Sequence, residues 1–377
     1  MPRRAAEDAV DARPPPSKKV KRTTPTGGAP PLGKYLASSE KPIRDKAVAS
    51  LTRFLSAGKL PIKANNDERD EAEQDVTEEL VVGDLDWDKE WDPDSRLEPL
   101  EMAKLWKGIY YCFWMSDKPL VQQALAQQLA DLTLVVRPKS KKPEKNGRVE
   151  RVRSAVCFLK GFWETVCREW PQLDRLRIDK FYMLIRRFVN AALRLLEREE
   201  WDLHAIELYN EVLTSPGGPL HVESPKTPHS LTFHVADVFL DELERVASSS
   251  ESSSPSIPLV ALLRPYFHTL TIAPSSPIFA RIIEQLVKPL LVAAFPPVKP
   301  AGRRRKKDGP PPPRPEYPAI IENCVEGKDL EDGARQGTEV AKKVLRGLFS
   351  EGGKPDVDDN NRRKIYQFVA EWDVELE

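Results

Sequence analysis

Recognisable catalytic grammar is missing from this sequence. No G-x-x-x-x-G-K-[ST] and no G-x-G-x-x-G occurs, so neither common phosphate cradle is present. No G-x-S-x-G occurs, which excludes the serine-hydrolase elbow. Cysteine is scarce. The four are Cys112, Cys157, Cys167 and Cys324, no two of them form a C-x-x-C, and the first three lie in helical apolar patterns. That usage points to buried free thiols in a reducing compartment. The five histidines are scattered, and His229 and His234 are five apart, off a shared helical face. They read as helix-surface or loop residues rather than zinc ligands. The N-terminus lacks a secretory apolar region, and no apolar run is long enough to span a bilayer. The expectation is a soluble intracellular chain with no cofactor, no membrane partner and no small-molecule substrate. Strand signals are nearly absent.

One acidic stretch imitates a calcium loop. Asp84, Asp86 and Asp88 alternate, but the sixth position is Lys89, where the loop needs glycine, and the twelfth is Ser95, where it needs glutamate. A solvated acidic arm that docks a basic partner fits better, with Trp87 and Trp91 as its anchors.

Charge is balanced at 58 basic and 58 acidic residues, yet it is segregated. Basic runs lie at 18–22, 139–153 and 303–307, and an acidic run at 67–94. Such blocks serve as interaction arms. Lys18, Lys19, Lys21 and Arg22 form a candidate nuclear import signal, and the second cluster at 303–307 strengthens a nuclear reading. Hydrophobic residues make up 40 % of the chain, enough for a core, while 35 prolines keep parts of it outside.

The strongest pattern lies at 97–134. Met102, Leu105, Trp106, Ile109 and Phe113 share one helix face, and Val121, Leu125, Leu129 and Leu132 share another. The four residues between, 115–118, allow only an antiparallel helical hairpin, with Ser116 or Asp117 as cap and Pro119 in the first turn. Further helices are predicted at 152–170, 178–200, 202–213 and 231–246, the first ended by Pro171. The organisation expected is a basic, Pro-rich disordered tail at 1–31 and a helical domain at 32–247. That domain carries an acidic insert near 65–95 and a basic loop near 138–150. A Ser-rich linker at 248–256, a helical pair at 257–298 and a basic, Pro-rich, sparsely structured tail at 299–377 follow. Short helices are expected in that tail at 338–349 and 362–372. Consecutive helix pairs with short turns predict an all-α fold, an α-solenoid of HEAT-like or armadillo-like stacking.

One charged pattern suggests a binding role. Lys180, Arg187, Arg194 and Arg198 stay within roughly 40° of each other on a helix of about 100° per residue. They form either a solvated face paired with Glu197, Glu199 and Glu200, or a track for nucleic-acid phosphates. Lys139, Lys141 and Lys142 in the basic loop would add to the track.

Residues 105–119, LWKGIYYCFWMSDKP, resemble the signature of the ribosomal RNA processing protein 1 family, the nucleolar protein 52 type. So do FWE at 162–164, REW at 168–170, LDRLRIDKFYMLIRR at 173–187 and FHVADVFLDEL at 233–243. The likeness runs from about Leu32 to Val246. It implies a nucleolar, non-catalytic assembly factor for the large (60S) ribosomal subunit, needed for pre-rRNA processing. Its implied partners are large-subunit precursor rRNA, other pre-60S assembly factors including a Brix-domain protein, and ribosomal proteins. No catalytic residue is carried over. Two other readings stand beside it: a nuclear α-solenoid adaptor that binds protein without touching RNA, and a magnesium nuclease built on the acidic segment, which would need carboxylates converging on a rigid site.

Overall fold

The computed structural model describes residues 35–56, 99–138, 147–249, 255–295, 316–324 and 333–372. Within them the chain is helical, and no strand occurs among the described residues. The helices are α1 (Lys41–Ser56), α2 (Pro99–Trp114), α3 (Pro119–Val135), α4 (Gly147–Glu169), α5 (Ile178–Arg198), α6 (Leu203–Thr214) and α7 (His229–Ser249). Then come α8 (Leu259–Ile272), α9 (Ser276–Ile282), a π turn (Ile283–Val287), α10 (Lys288–Ala294), α11 (Pro318–Asn323), α12 (Gly333–Gly352) and α13 (Asp359–Ala370).

From α3 to α9, each helix packs on the one two places before it. The odd helices α1, α3, α5, α7 and α9 form one layer, and α2, α4, α6 and α8 form the other, which α12 and α13 extend. This two-layer stacking is the expected α-solenoid. Its sequence cause is the apolar stripe on each helix, which no single pair can bury. At the centre, Trp106 of α2 lies 4.5 Å from Phe158 and 5.6 Å from Phe188, and Phe162 stacks on Phe188 at 3.8 Å between ring centres.

Local chemistry sets the ends of the helices. Asp202 caps α6 by accepting the Ala205 N–H at 3.0 Å. Pro171 ends α4 through a 3-10 turn, Trp170–Gln172. The α5–α6 reversal places Glu200 and Trp201 at φ 56° and 57°, positions that ordinarily favour glycine. The left-handed backbone costs on the order of 1–2 kcal/mol per residue. Burial of the Trp201 side chain and the Trp201 N–H bond to Leu196 O at 2.8 Å offset it.

Two expectations change. Neither Ser116 nor Asp117 caps α3: the cap position is Lys118, without a side-chain cap, although Pro119 does open the helix. Ser116 is buried, and its hydroxyl donates back to Phe113 O at 2.6 Å. The second concerns 316–372, read as sparse. There α12 packs on α8 and α13 packs on α12. Val340, Ala341, Val344, Leu345 and Leu348 are few but fall on one face, and all are buried. Composition undercounts an apolar stripe that is narrow and fully used. Likewise α8 and α9 continue the two layers by packing on α6 and α7.

Gly161 of α4 faces the aromatic centre. A Cβ there would lie 2.4 Å from Trp106 Cδ1. Glycine-to-alanine changes inside helices usually stabilise by about 1 kcal/mol. Gly161→Ala should instead destabilise by about 1–3 kcal/mol, because the indole must shift within a packed core. Chemical denaturation would show it, and a stabilised variant would mean that the α2–α4 contact is looser than described.

The thiols of Cys112 and Cys167 are pushed up by burial from 9.0 to about 11 and about 12. The buried phenols of Tyr110 and Tyr209 are raised by the same cause. Acids whose folded pKa is raised add stability in full below the unfolded value, and it is lost as pH rises through the folded value. Lys180, lowered to about 8 by burial, works oppositely between there and 10.5. One amine does not offset four acids, so the melting temperature under reductant should fall from pH 9 to 11. A flat profile would contradict the burial of these groups.

Candidate nucleic-acid interface

Helix α5 is the middle of the odd layer, flanked by α3 and α7. Phe181, Leu184, Ile185, Phe188, Ala192 and Leu195 face inward and are buried, as their spacing predicts. That inward stripe holds the basic edge along the α3 seam.

The four cations of that edge have different fates. Lys180 is a correction. It is buried, and its ammonium donates to Trp114 O at 2.7 Å and Ser116 O at 2.6 Å. It ties down the end of α2 and is not open to a phosphate. Burial, then the charge of Arg177, lowers its pKa to about 8. Arg177 lies 3.8 Å above the Trp114 ring, so this end of the edge is used for packing. Arg194 donates to Asp131 of α3 at 2.7 Å. Arg198 donates to Leu134 O at 2.7 Å and to Glu199 at 3.0 Å. Both remain about two-fifths exposed along the side chain. Arg187 sits between them and Lys180, half-buried, with no side-chain partner among the described residues.

The other predicted positions fall elsewhere. Lys139, Lys141 and Lys142 lie outside the described residues, in the connection between Val135 and Gly147. Trp87, Trp91, Lys18, Lys19, Lys21 and Arg22 are also outside them. Among the described residues no three His, Cys, Asp or Glu side chains are grouped to hold a metal ion. No described helix is long and apolar enough to cross a membrane. His234 is not a surface histidine. It is half-buried, its Nε2 lies 2.9 Å from Tyr182 O, and burial lowers its pKa.

Sequence reasoning missed the seam on the other side of α5. Arg186 reaches Asp241 and Glu242 of α7, and Asn190 donates to Glu242 at 2.9 Å. Arg245 closes the group at 2.9 Å from the same carboxylate, which is 0 % exposed. The signal was available. Glu242 stands three residues after Phe239 and four before Val246, on the apolar stripe, where a carboxylate survives only if paired.

Comparison with known proteins decides the family. A model described as nucleolar protein, Nop52, matches residues 28–366. The chain belongs to that family. The match extends past Val246 into the C-terminal helices, beyond the sequence words quoted above. Ribosomal RNA processing protein 1 homolog B of Homo sapiens is 33 % identical over 211 residues, which is 56 % of this chain and 22 % of the relative. Homolog A of Homo sapiens is 33 % identical over 229 residues, 61 % of this chain and 40 % of the relative. The Caenorhabditis elegans homolog is 26 % identical over 291 residues, 76 % of this chain and 61 % of the relative. This Nop52-family chain therefore matches only about a fifth to three-fifths of the length of these relatives. The family's nucleolar description agrees with the expected nuclear location.

Proposed function

We propose that the chain is a non-catalytic assembly factor of the large (60S) ribosomal subunit. It acts in pre-rRNA processing by holding protein and rRNA together in early pre-60S particles. The relatives are named as ribosomal RNA processing proteins, and membership of the Nop52 family carries the reading. The rRNA contact is assigned to the α5 edge: Arg187, with Arg194 and Arg198 beside it, and to Lys139, Lys141 and Lys142 in the connection between α3 and α4. Arg187 has no side-chain partner there among the described residues, and surface ion pairs like Arg194–Asp131 contribute only about 0–1 kcal/mol. The acidic segment around Trp87 and Trp91 would dock protein, with a Brix-domain factor among the partners.

Purification of the tagged full chain should enrich large-subunit precursor rRNA over small-subunit precursor. The isolated chain, given that precursor with magnesium or manganese, should leave it intact. Specific cleavage lost on changing Asp84, Asp86 and Asp88 would replace the scaffold with a nuclease. Enrichment of protein without precursor rRNA would favour the RNA-free adaptor.

A further inference from the structure

Seams of the odd layer are closed by ion pairs. Arg194 meets Asp131 between α5 and α3, Arg186 meets Asp241 between α5 and α7, and Arg281 meets Asp237 between α9 and α7. The seam between α6 and α8 in the even layer is built differently. It opens into a groove of about 690 Å³, within the ~300–1,000 Å³ of pockets that enclose ligands. Its floor is apolar: Ile206, Val260, Ala261 and Pro265, with Leu203 at the rim 64 % exposed. Pro265 stands inside α8 and lacks the N–H that would bond Ala261 O. Asn210 of α6 donates to that freed carbonyl at 2.8 Å, which satisfies it, while the buried Asn210 Oδ1 has no hydrogen-bond partner among the described residues.

One wall is acidic and the other carries a cation, Arg264. Glu207 and Glu211 stand one turn apart on α6, and Arg264 and His268 stand one turn apart on α8. None of the four has a side-chain partner among the described residues. Neighbouring walls of opposite sign that do not pair leave their charges available to something lying between them. An acidic wall repels phosphate, so the groove suits protein and not RNA. We propose that this groove docks an amphipathic helical segment of a partner protein, with basic side chains along one flank of its apolar stripe and acidic side chains along the other. Its apolar stripe would cover Ile206, Val260 and Pro265, its basic flank would face Glu207 and Glu211, and its acidic flank would face Arg264. The inference concerns the layer opposite the α5 edge and does not depend on the rRNA assignment.

The test uses the purified full chain and three labelled helical peptides of about 18 residues. All share one leucine stripe. One has lysines on one flank and glutamates on the other, one has lysines on both, and one has glutamates on both. Reversing the direction of a peptide in the groove swaps its flanks, so the mixed peptide can satisfy both walls in either frame. Fluorescence anisotropy should show the mixed peptide binding roughly tenfold tighter than either uniform one. E207K/E211K should shift the preference to the all-glutamate peptide, and R264E to the all-lysine peptide. These residues are exposed, and unchanged melting temperatures would confirm that the variants are folded. Equal binding of the three peptides, no saturable binding, or displacement of the mixed peptide by single-stranded RNA would each overturn the proposal.

Discussion

Trp106→Ala and Trp163→Ala should each destabilise the protein by on the order of 3–5 kcal/mol. Both side chains are essentially buried, at 2 % and 1 % exposure. Trp106 lies among Phe158, Phe162 and Phe188, where α2, α4 and α5 meet across the two layers. Truncation there leaves a cavity that three helices must close. The indole N–H of Trp106 has no hydrogen-bond partner among the described residues, so Trp106→Phe removes volume without breaking a bond seen there. It should cost clearly less than the alanine change. Chemical denaturation checks both. A Trp106→Ala variant that melts like the wild type would show that this tryptophan is not a core residue.

Glu242→Ala should cost about 3–5 kcal/mol, as breaking a buried ion pair from one side does. The carboxylate is fully enclosed and accepts from Arg186, Asn190 and Arg245. Removing it leaves the half-buried Arg186 guanidinium with only Asp241. Arg186→Ala also strips a partner from Glu242, so the double variant should lose less than the sum of the two single losses. Strict additivity in that cycle would mean that the two groups do not interact in solution.

The helices were largely legible in the residues, because each buried stripe repeats with the helical period. The stripe on α5 placed Phe181 to Leu195 correctly down to the individual side chain. Caps were less legible. Ser116 has the right chemistry for a cap, but tertiary packing buries it and gives its carbonyl to Lys180. The C-terminal helices were underread for a different reason. A solenoid's last helices need one apolar face only, and five buried residues of α12 supply it amid polar sequence. For the basic edge, angular spacing put Lys180 and Arg187 on one line but could not show depth. Depth depends on the α2–α3 turn folding over the start of α5, a long-range contact that no local period encodes.

The central claim is that the α5 edge holds large-subunit precursor rRNA. Its most direct test is ultraviolet crosslinking in cells, with sequencing of the bound RNA, for the wild type and for R187E/R194E. The double variant should fold, since the ion pair lost contributes about 0–1 kcal/mol. Wild-type crosslinks should map to large-subunit precursor rRNA, and the variant should lose most of them. Its residual binding in vitro should depend less steeply on salt, because fewer counterions are released. Wild-type crosslinks absent from that precursor, or crosslinks unchanged in the folded variant, would contradict the account.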